Sequence, residues 1–292
     1  MAKARALDKR RKSIRNIRKI TRTMELIATA RFKKAMDRAH AATAYTRRMT
    51  QLVADLATSG LEVKHPLLEG REKTNRAVLV ILTANRGLCG GYNSGVQRAG
   101  FARYQELKNA VGEVSLELSG KRGISAAKFR GFRADHTFTH FDNKPSFEEV
   151  EVLANRYLEA YVAGAMDRLD VAYMRFENVS RQFVSVETLL PLGALAGAER
   201  GPDKTQSQYE FLPSAESILE EVVPTSFRVK LFKCFLDAAV SEQVARMVAM
   251  KAATKAAGDR IKQLSMKYNR ARQSQITGEI MEIIGGVEAL KN

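Results

Sequence analysis

The stretch Ile14-Arg-Asn-Ile-Arg-Lys-Ile-Thr-Arg-Thr-Met-Glu-Leu-Ile-Ala28 decides how the chain begins. Ile14, Ile17, Thr21, Met24 and Ala28 recur at steps of three and four. The stripe continues through Arg31, Ala35, Arg38, Ala42, Tyr45, Met49, Leu52 and Leu56. A 3.5-residue period predicts a helix that winds left-handed around a partner. Arg31 and Arg38 interrupt the apolar pattern, while Ala28, Ala35 and Ala42 would let that partner approach closely. A helix from about Lys3 to Thr58 would run roughly 80 Å.

The partner can come from the other end. All six prolines lie between residues 66 and 224, and proline breaks helix interiors, so the spacing predicts an uninterrupted helix from Thr225 to Leu290. Phe227, Leu231, Cys234, Ala238, Ser241, Ala245, Val248 and Ala252 form one stripe. Ile261, Leu264, Tyr268 and Ala271 form a second, and Ile276, Ile280, Ile283, Val287 and Leu290 a third. The phase slips near Gly258 and near Gln275. In an antiparallel pair the C-terminal helix would overhang its partner by about ten residues, roughly 15 Å. Ile276, Ile280, Ile283 and Val287 on that overhang would lack a helix partner within the chain.

Between the ends the pattern is α/β. Ala77-Val-Leu-Val-Ile-Leu82 is a continuous apolar run, the mark of a buried strand. Residues 94–110, 123–130 and 146–165 read as helices. Val114–Leu118, Thr137–Phe141, Val171–Phe176 and Phe183–Leu189 read as strands, the last two joined at Asn178–Arg181 as a hairpin. Strand-helix alternation predicts a mostly parallel sheet with helices on its faces. The expected organisation is an N-terminal coiled-coil helix over 1–60, an α/β domain over 75–190, a linker over 191–214 and a C-terminal coiled-coil helix over 215–292. The linker holds three prolines and three glycines.

The net charge of +16 is uneven. Residues 1–50 carry 16 Lys or Arg against 3 Asp or Glu, and residues 225–292 carry 12 against 6. The middle holds 20 against 23. The basic ends call for acidic partners: nucleic acid, an anionic lipid surface or acidic protein. The run Lys9-Arg-Arg-Lys-Ser-Ile-Arg-Asn-Ile-Arg-Lys19 has no interleaved aromatics, and its isoleucines keep core spacing. That favours a solvated helix face opposite acidic protein over a nucleic-acid site. No run of about 20 apolar residues predicts a membrane span. The charged N-terminus has no apolar core of a secretory signal.

Chemistry is hard to assemble. Leu82-Thr-Ala-Asn-Arg-Gly-Leu-Cys-Gly-Gly-Tyr-Asn93 follows a strand and opens a helix, where mononucleotide folds hold phosphate. It matches neither glycine fingerprint, and no Lys follows the glycines. A tight turn explains Gly87, Gly90 and Gly91 equally well. His136 and His140 stand four apart without H-E-x-x-H around them. Cys89 and Cys234 fit no metal spacing and read as reduced thiols. No catalytic, cofactor or metal residues are assigned.

Ile14–Ala28 and Ala84-Asn-Arg-Gly-Leu-Cys-Gly-Gly-Tyr-Asn93 resemble strings of the γ subunits of F-type ATP synthases. So do Ser241-Glu-Gln-Val-Ala-Arg-Met-Val-Ala-Met-Lys-Ala-Ala-Thr254 and Tyr268-Asn-Arg-Ala-Arg-Gln-Ser-Gln-Ile-Thr277, followed by Glu279 and Glu282. The resemblance spans nearly the whole chain, is of the bacterial type, and implies a Rossmann-like α/β domain beside an antiparallel coiled coil. It implies a non-catalytic, rotating central stalk of a proton- or sodium-translocating complex. Partners would be the α and β subunits of the hexamer, the ε subunit and the c-ring. No nucleic acid is expected, a basic coiled-coil nucleic-acid protein being the alternative. Association with the cytoplasmic face of the cell membrane would be peripheral, through the complex. The resemblance puts Met24, Arg246, Arg272, Gln273 and Thr277 where family members contact β or tune coupling. Ile280 and Glu282 join them on the C-terminal tip. No cysteine pair of the redox-regulated chloroplast type occurs in 191–214.

Overall fold

The computed structural model describes residues 2–58, 65–68, 70–71, 73–141, 144–192 and 215–290, with side chains except those of 2–3, 40–47, 50–58, 215–219 and 289. Nearly all of the expected linker therefore lies outside the described residues. The chain divides into two units, Thr29–Ala245 and the pair Met1–Ala28 with Arg246–Asn292. Two helices run through both: α1 (Ala2–Thr58) and α5 (Ala215–Ala289).

In the unit Thr29–Ala245, five strands form one sheet: β1 (Arg76–Leu82), β2 (Glu113–Ser119), β3 (His136–Phe138), β4 (Arg168–Phe176) and β5 (Gln182–Leu190). Their order is β3-β2-β1-β4-β5, parallel except for β5, which returns antiparallel on β4. The helices α2 (Tyr92–Ala110), α3 (Lys121–Phe129) and α4 (Phe147–Val162) connect them. Side chains alternate across a strand, so β1 serves two cores. Ala77, Leu79 and Ile81 join Val96, Phe101 and Ala127 of α2 and α3. Val80 and Leu82 join Leu153, Tyr157 and Tyr161 of α4 with Phe227 and Leu231 of α5. A run buried on both faces reads as continuously apolar, as Ala77–Leu82 does.

Two buried carboxylates pin the starts of the strands. Asp167 accepts from the backbone N–H of Asn75 and Arg76 at 2.9 Å each, and from Arg71 at 2.6 Å. Asp170 accepts from Arg103 and Arg168 at 2.8 and 2.9 Å and from the Thr188 hydroxyl at 2.8 Å. Helix α4 opens with a reciprocal Ser146–Glu149 capping box, which satisfies two otherwise orphaned N–H groups. On α1, Ala35 and Ala39 with half-buried Phe32 pack on Leu236, Val240 and Val244 of α5.

In the other unit, α1 and α5 pair antiparallel: Thr21 meets Thr254 and Arg11 stacks over Tyr268. The α5 seam is Met250, Thr254, Ala257, Ile261, Leu264, Tyr268, Ala271 and Gln275, each buried or half-buried, at alternating steps of four and three. This corrects the expected stripe, because Val248 and Ala252 are exposed. The α1 seam is corrected too. Ile17 is 45% exposed and Arg31 is exposed, while Glu25 is 8% exposed and Phe32 half-buried. The buried or half-buried residues of α1 include Leu7, Arg11, Ile14, Thr21, Met24, Glu25 and Ala28 in this unit and Phe32, Ala35, Arg38 and Ala39 in the unit Thr29–Ala245, while Arg18 is exposed. Turning Phe32 rather than Arg31 inward removes a charge from the seam. The 3.5-residue period then carries that phase back to Glu25 and Arg11. Glu25 bonds Arg22 at 2.8 Å, and Arg18 lies along Gly258, where a side chain is missing.

Helix α5 begins ten residues before Thr225 and contains Pro224. A proline removes one intrahelical donor and crowds the preceding turn. Buried Val223 and Phe227 on either side pack into the same core, and that packing outweighs the local cost.

Candidate functional site

The loop after β1 occupies the position where a mononucleotide fold would bind phosphate. Its polar groups tie it to the start of α3 rather than to that of α2, which has no side-chain cap. The Thr83 hydroxyl accepts from Gly123 N at 2.8 Å, Asn85 Oδ1 accepts from Lys121 N at 3.0 Å, and Ala84 O accepts from Arg122 N at 3.1 Å. The free N–H groups that make a helix start attractive to anions are therefore satisfied at α3. Asn93, in the first turn of α2, accepts from Ala84 N at 2.9 Å and donates to Cys89 Sγ at 3.0 Å. Gly120, at φ +94°, sits so close that a Cβ there would lie 2.1 Å from Thr83 O.

In open α/β sheets ligands enter where the strand order reverses, here between the ends of β1 and β4. Helix α5 covers that crevice. Ser241 donates to Met174 O at 3.2 Å, and Ala245 packs against the cluster of Cys89, Tyr92 and Met174. Ser241, Glu242 and Gln243 are all buried. The glycine loop is a tight turn that docks a helix, the second of the two readings its sequence allowed. Thr83, Asn85 and Asn93 escaped notice in the sequence. Residue type was the only signal, because Thr83 and Asn85 bond α3 from 40 and 36 residues away and Asn93 bonds back into the loop before α2.

Cys89 and Cys234 are both buried and neither is in a disulfide. Burial pushes the Cys234 thiol up, with Glu187 and Asp237 adding to the effect, so it is an inert core group. His136 and His140 are exposed, only the first lies within β3, and no metal-holding group of side chains occurs among the described residues.

The expected partner residues all fall in the coiled-coil unit. Met24 and Arg246 are half-exposed, and Arg272, Gln273, Thr277, Ile280 and Glu282 are exposed. Arg272 lines a shallow surface groove with Asp8, Lys9, Lys12, Tyr268 and Gln275. Gln273, Thr277 and Ile280 share one face of α5 by their four-three spacing. Glu282 stands on the opposite face. Gln275 is the last half-buried residue; every described side chain beyond it is exposed, including Ile276, Ile280, Ile283, Ile284 and Val287 at 45–67%. No described helix is long and apolar enough to cross a membrane.

The sequence profile of the family described as ATP synthase matches residues 3–290. An ATP synthase gamma chain from Rhodopirellula baltica is 64% identical over 295 residues, covering all of both chains. The chain belongs to the ATP synthase γ family. A second relative, the ATP synthase gamma chain of Leptospira biflexa, is 37% identical, covering 99% of this chain and all of its own. The fold is similar to a chain in the rotor of the Euglena gracilis mitochondrial ATP synthase, at TM-score 0.62 and 18% identity, covering 94% and 99% of the two chains. A chain in the OSCP/F1/c-ring structure of that enzyme gives 0.66, at 18% identity and 99% and 95% coverage. The expected combination of terminal helices and Rossmann-like domain is thus the fold of this family.

Proposed function

We propose that the chain is the rotating central stalk of an F-type ATP synthase, a non-catalytic subunit that couples ion flow through a membrane ring to ATP synthesis or hydrolysis in an α/β hexamer. One observation carries the mechanism: α5 continues past Gln275 as a lone helix with an apolar stripe and few charges. Such a tip can turn inside a sleeve, because apolar contacts are non-directional and no ion pair has to break at each step. Lower on the pair, the basic face of α1 meets acidic protein through screened contacts that steer without locking.

On this reading Met24, Arg246, Arg272, Gln273, Thr277, Ile280 and Glu282 contact or tune the hexamer. The ε subunit and the c-ring engage elsewhere on the chain, which lies at the cytoplasmic face of the membrane without crossing it. The nucleic-acid alternative gains nothing from the relatives, and the charge it rested on is accounted for by acidic protein. The test is reconstitution of the hexamer and membrane sector with and without the chain, read as stoichiometric co-purification and ATP-driven ion pumping. Pumping that persists without the chain, or a hexamer that excludes it, overturns the proposal.

A further inference from the structure

At one edge of the α/β unit, where β1, β2 and β4 begin, Phe129 projects almost completely bare, at 92% exposure. Helix α3 starts beside the ends of β1 and β2 and runs back, so its last residue reaches the edge where the strands start. Helix α2 likewise finishes there, at Ala110 just before β2. Exposed Lys73, Arg76, Lys108, Lys128, Arg130 and Arg133 stand on the same edge, and none of the six forms an ion pair among the described residues. Of the acids on this edge, exposed Glu113 stands in register beside Arg76 and Glu106 pairs with Arg103. Asp167 and Asp170 are buried and paired with other arginines, and Asp135 accepts from Leu116 N and the Ser115 hydroxyl.

The aromatic is held on a firm base. Phe132 stacks on buried Phe101 at 5.1 Å, and the Arg130 guanidinium lies over the same ring at 5.2 Å. The turn that carries Phe129 is anchored at both sides while its own ring finds nothing to pack on.

We propose that this edge is a contact for an anionic lipid surface, with Phe129 as its interfacial anchor. The proposal rests on the membrane-peripheral reading above. A lone projecting aromatic among cations that outnumber the neighbouring acids matches the chemistry of a headgroup layer, where cations meet phosphate and the ring sinks to the acyl boundary. A protein partner would instead meet an apolar patch or pocket with a polar rim, and among the described residues of α2, β2, α3 and the turn after it Phe129 is the single exposed large apolar side chain. A nucleic-acid platform would present several free ring faces, whereas Phe101 is buried and Phe132 is stacked on it.

The chain contains no tryptophan, so a Phe129→Trp variant carries a single reporter at the edge. Full-length protein is mixed with vesicles of phosphatidylglycerol and phosphatidylcholine, or of phosphatidylcholine alone. The expected result is a blue-shifted emission, quenched by brominated acyl chains, with the anionic vesicles only. Adding Lys128→Glu, Arg130→Glu and Arg133→Glu should abolish the shift, and raising salt should do the same in the unaltered background. A Leu88→Trp reporter, exposed on the loop at the opposite strand ends, should stay unshifted even if the basic helices draw the chain to the vesicle. Unchanged emission from the Phe129→Trp variant, or equal shifts from both reporters, overturns the proposal. So does a shift that appears on adding the assembled hexamer without lipid, which would identify an acidic protein as the occupant. Failure to assemble with the hexamer is measured separately and counts against the central-stalk reading instead.

Discussion

The Thr254 hydroxyl donates to the Thr21 hydroxyl at 2.9 Å, across 233 residues of sequence. It joins α1 and α5 at a half-buried point of their seam, and Thr21 can pass its own proton to Arg18 O at 3.1 Å. The pair favours this register, because a slipped alignment loses the bond between the hydroxyls and leaves each only a carbonyl of its own helix, Arg18 O or Met250 O. Thr254→Val should cost about 1 kcal/mol. Thr21→Val should cost a similar amount, and the double variant little more than either. Thermal melts of the three variants measure the coupling. Strict additivity would mean that the hydroxyls contribute independently.

Gly120→Ala should be far more damaging than its size suggests. The backbone there is at φ +94°, and the added methyl would meet Thr83 O, a backbone atom that cannot swing aside. Strain of this kind costs about 2 kcal/mol or more. The loss should appear as a lower melting temperature of the full chain, with Gly131→Ala as the comparison, since Gly131 shares a positive φ but has nothing within 4 Å of its added Cβ. Equal losses would put the whole effect in φ and none in the contact with Thr83.

Much of the architecture was legible because periodicity survives burial. Ala77–Leu82 lies within β1, and Val171–Phe176 with Phe183–Leu189 lie within the hairpin strands at Asn178–Arg181. The seam phase was not legible. A stripe through Ile17, Met24 and Arg31 and one through Arg18, Glu25 and Phe32 differ by one residue. The facing helix decides between them residue by residue: Glu25 and Phe32 turn in while Ile17 and Arg31 stay exposed, yet Met24 is half-buried and Arg18 exposed. Pro224 inside α5 was missed for a similar reason, since local rules stop a helix that tertiary packing continues. The closing of the crevice by Ser241 and Ala245 lay beyond reach because it joins distant segments, 67 residues apart for Ser241 and Met174 and farther for Ala245 and Cys89.

Two buried aspartates should give the chain opposite pH responses. Asp167 is pushed up by burial, but the N–H groups of Arg76 and Asn75 and the Arg71 guanidinium outweigh that and hold its carboxyl below the usual range. Its stabilising effect is present above the unfolded pKa and fades as pH falls through the lower folded value. Asp237 is raised by burial, with Glu187 adding to the rise and Lys233 and Arg175 opposing it. Its contribution is full below the unfolded pKa and is lost as pH rises through the folded value. Asp167→Asn should therefore weaken the chain at neutral pH and flatten its acid-side loss. Asp237→Asn should flatten the decline between acid and neutral pH. Melting temperatures across pH 3–8 would decide, and unchanged slopes would refute both assignments.

Nucleotide should not bind the lone chain. No Lys follows the glycines of the loop, and α5 occupies the crevice, with Ala245 packed against the loop and Ser241 bonded to Met174 O. Calorimetric titration with Mg-ATP should give no saturable heat. A micromolar site would require α5 to leave the crevice, and hydrogen exchange at residues 241–245 would then rise on titration.

The C-terminal tip supplies the sharpest test of rotation. Beyond Gln275 the stripe of Ile276, Ile280, Ile283 and Val287 has no partner helix among the described residues. Gly278, Gly285 and Gly286 lie among them with open space at each Cβ position, so the tip is thin as well as apolar. A sleeve around it would bury Ile280, now 50% exposed. Ile280→Val keeps the surface apolar and should leave coupling close to that of the parent. Ile280→Asp would bury an unpaired charge, a cost of about 3 kcal/mol or more. Because the site is exposed in the free chain, that cost should fall on assembly or pumping and leave the melting temperature of the free chain almost unchanged. ATP-driven proton pumping by complexes reconstituted with each variant measures one side, and melts of the free chain measure the other. Parent-level pumping with Ile280→Asp would show that no sleeve closes on the tip. An equal loss in the free chain would show that Ile280 serves the helix rather than a bearing.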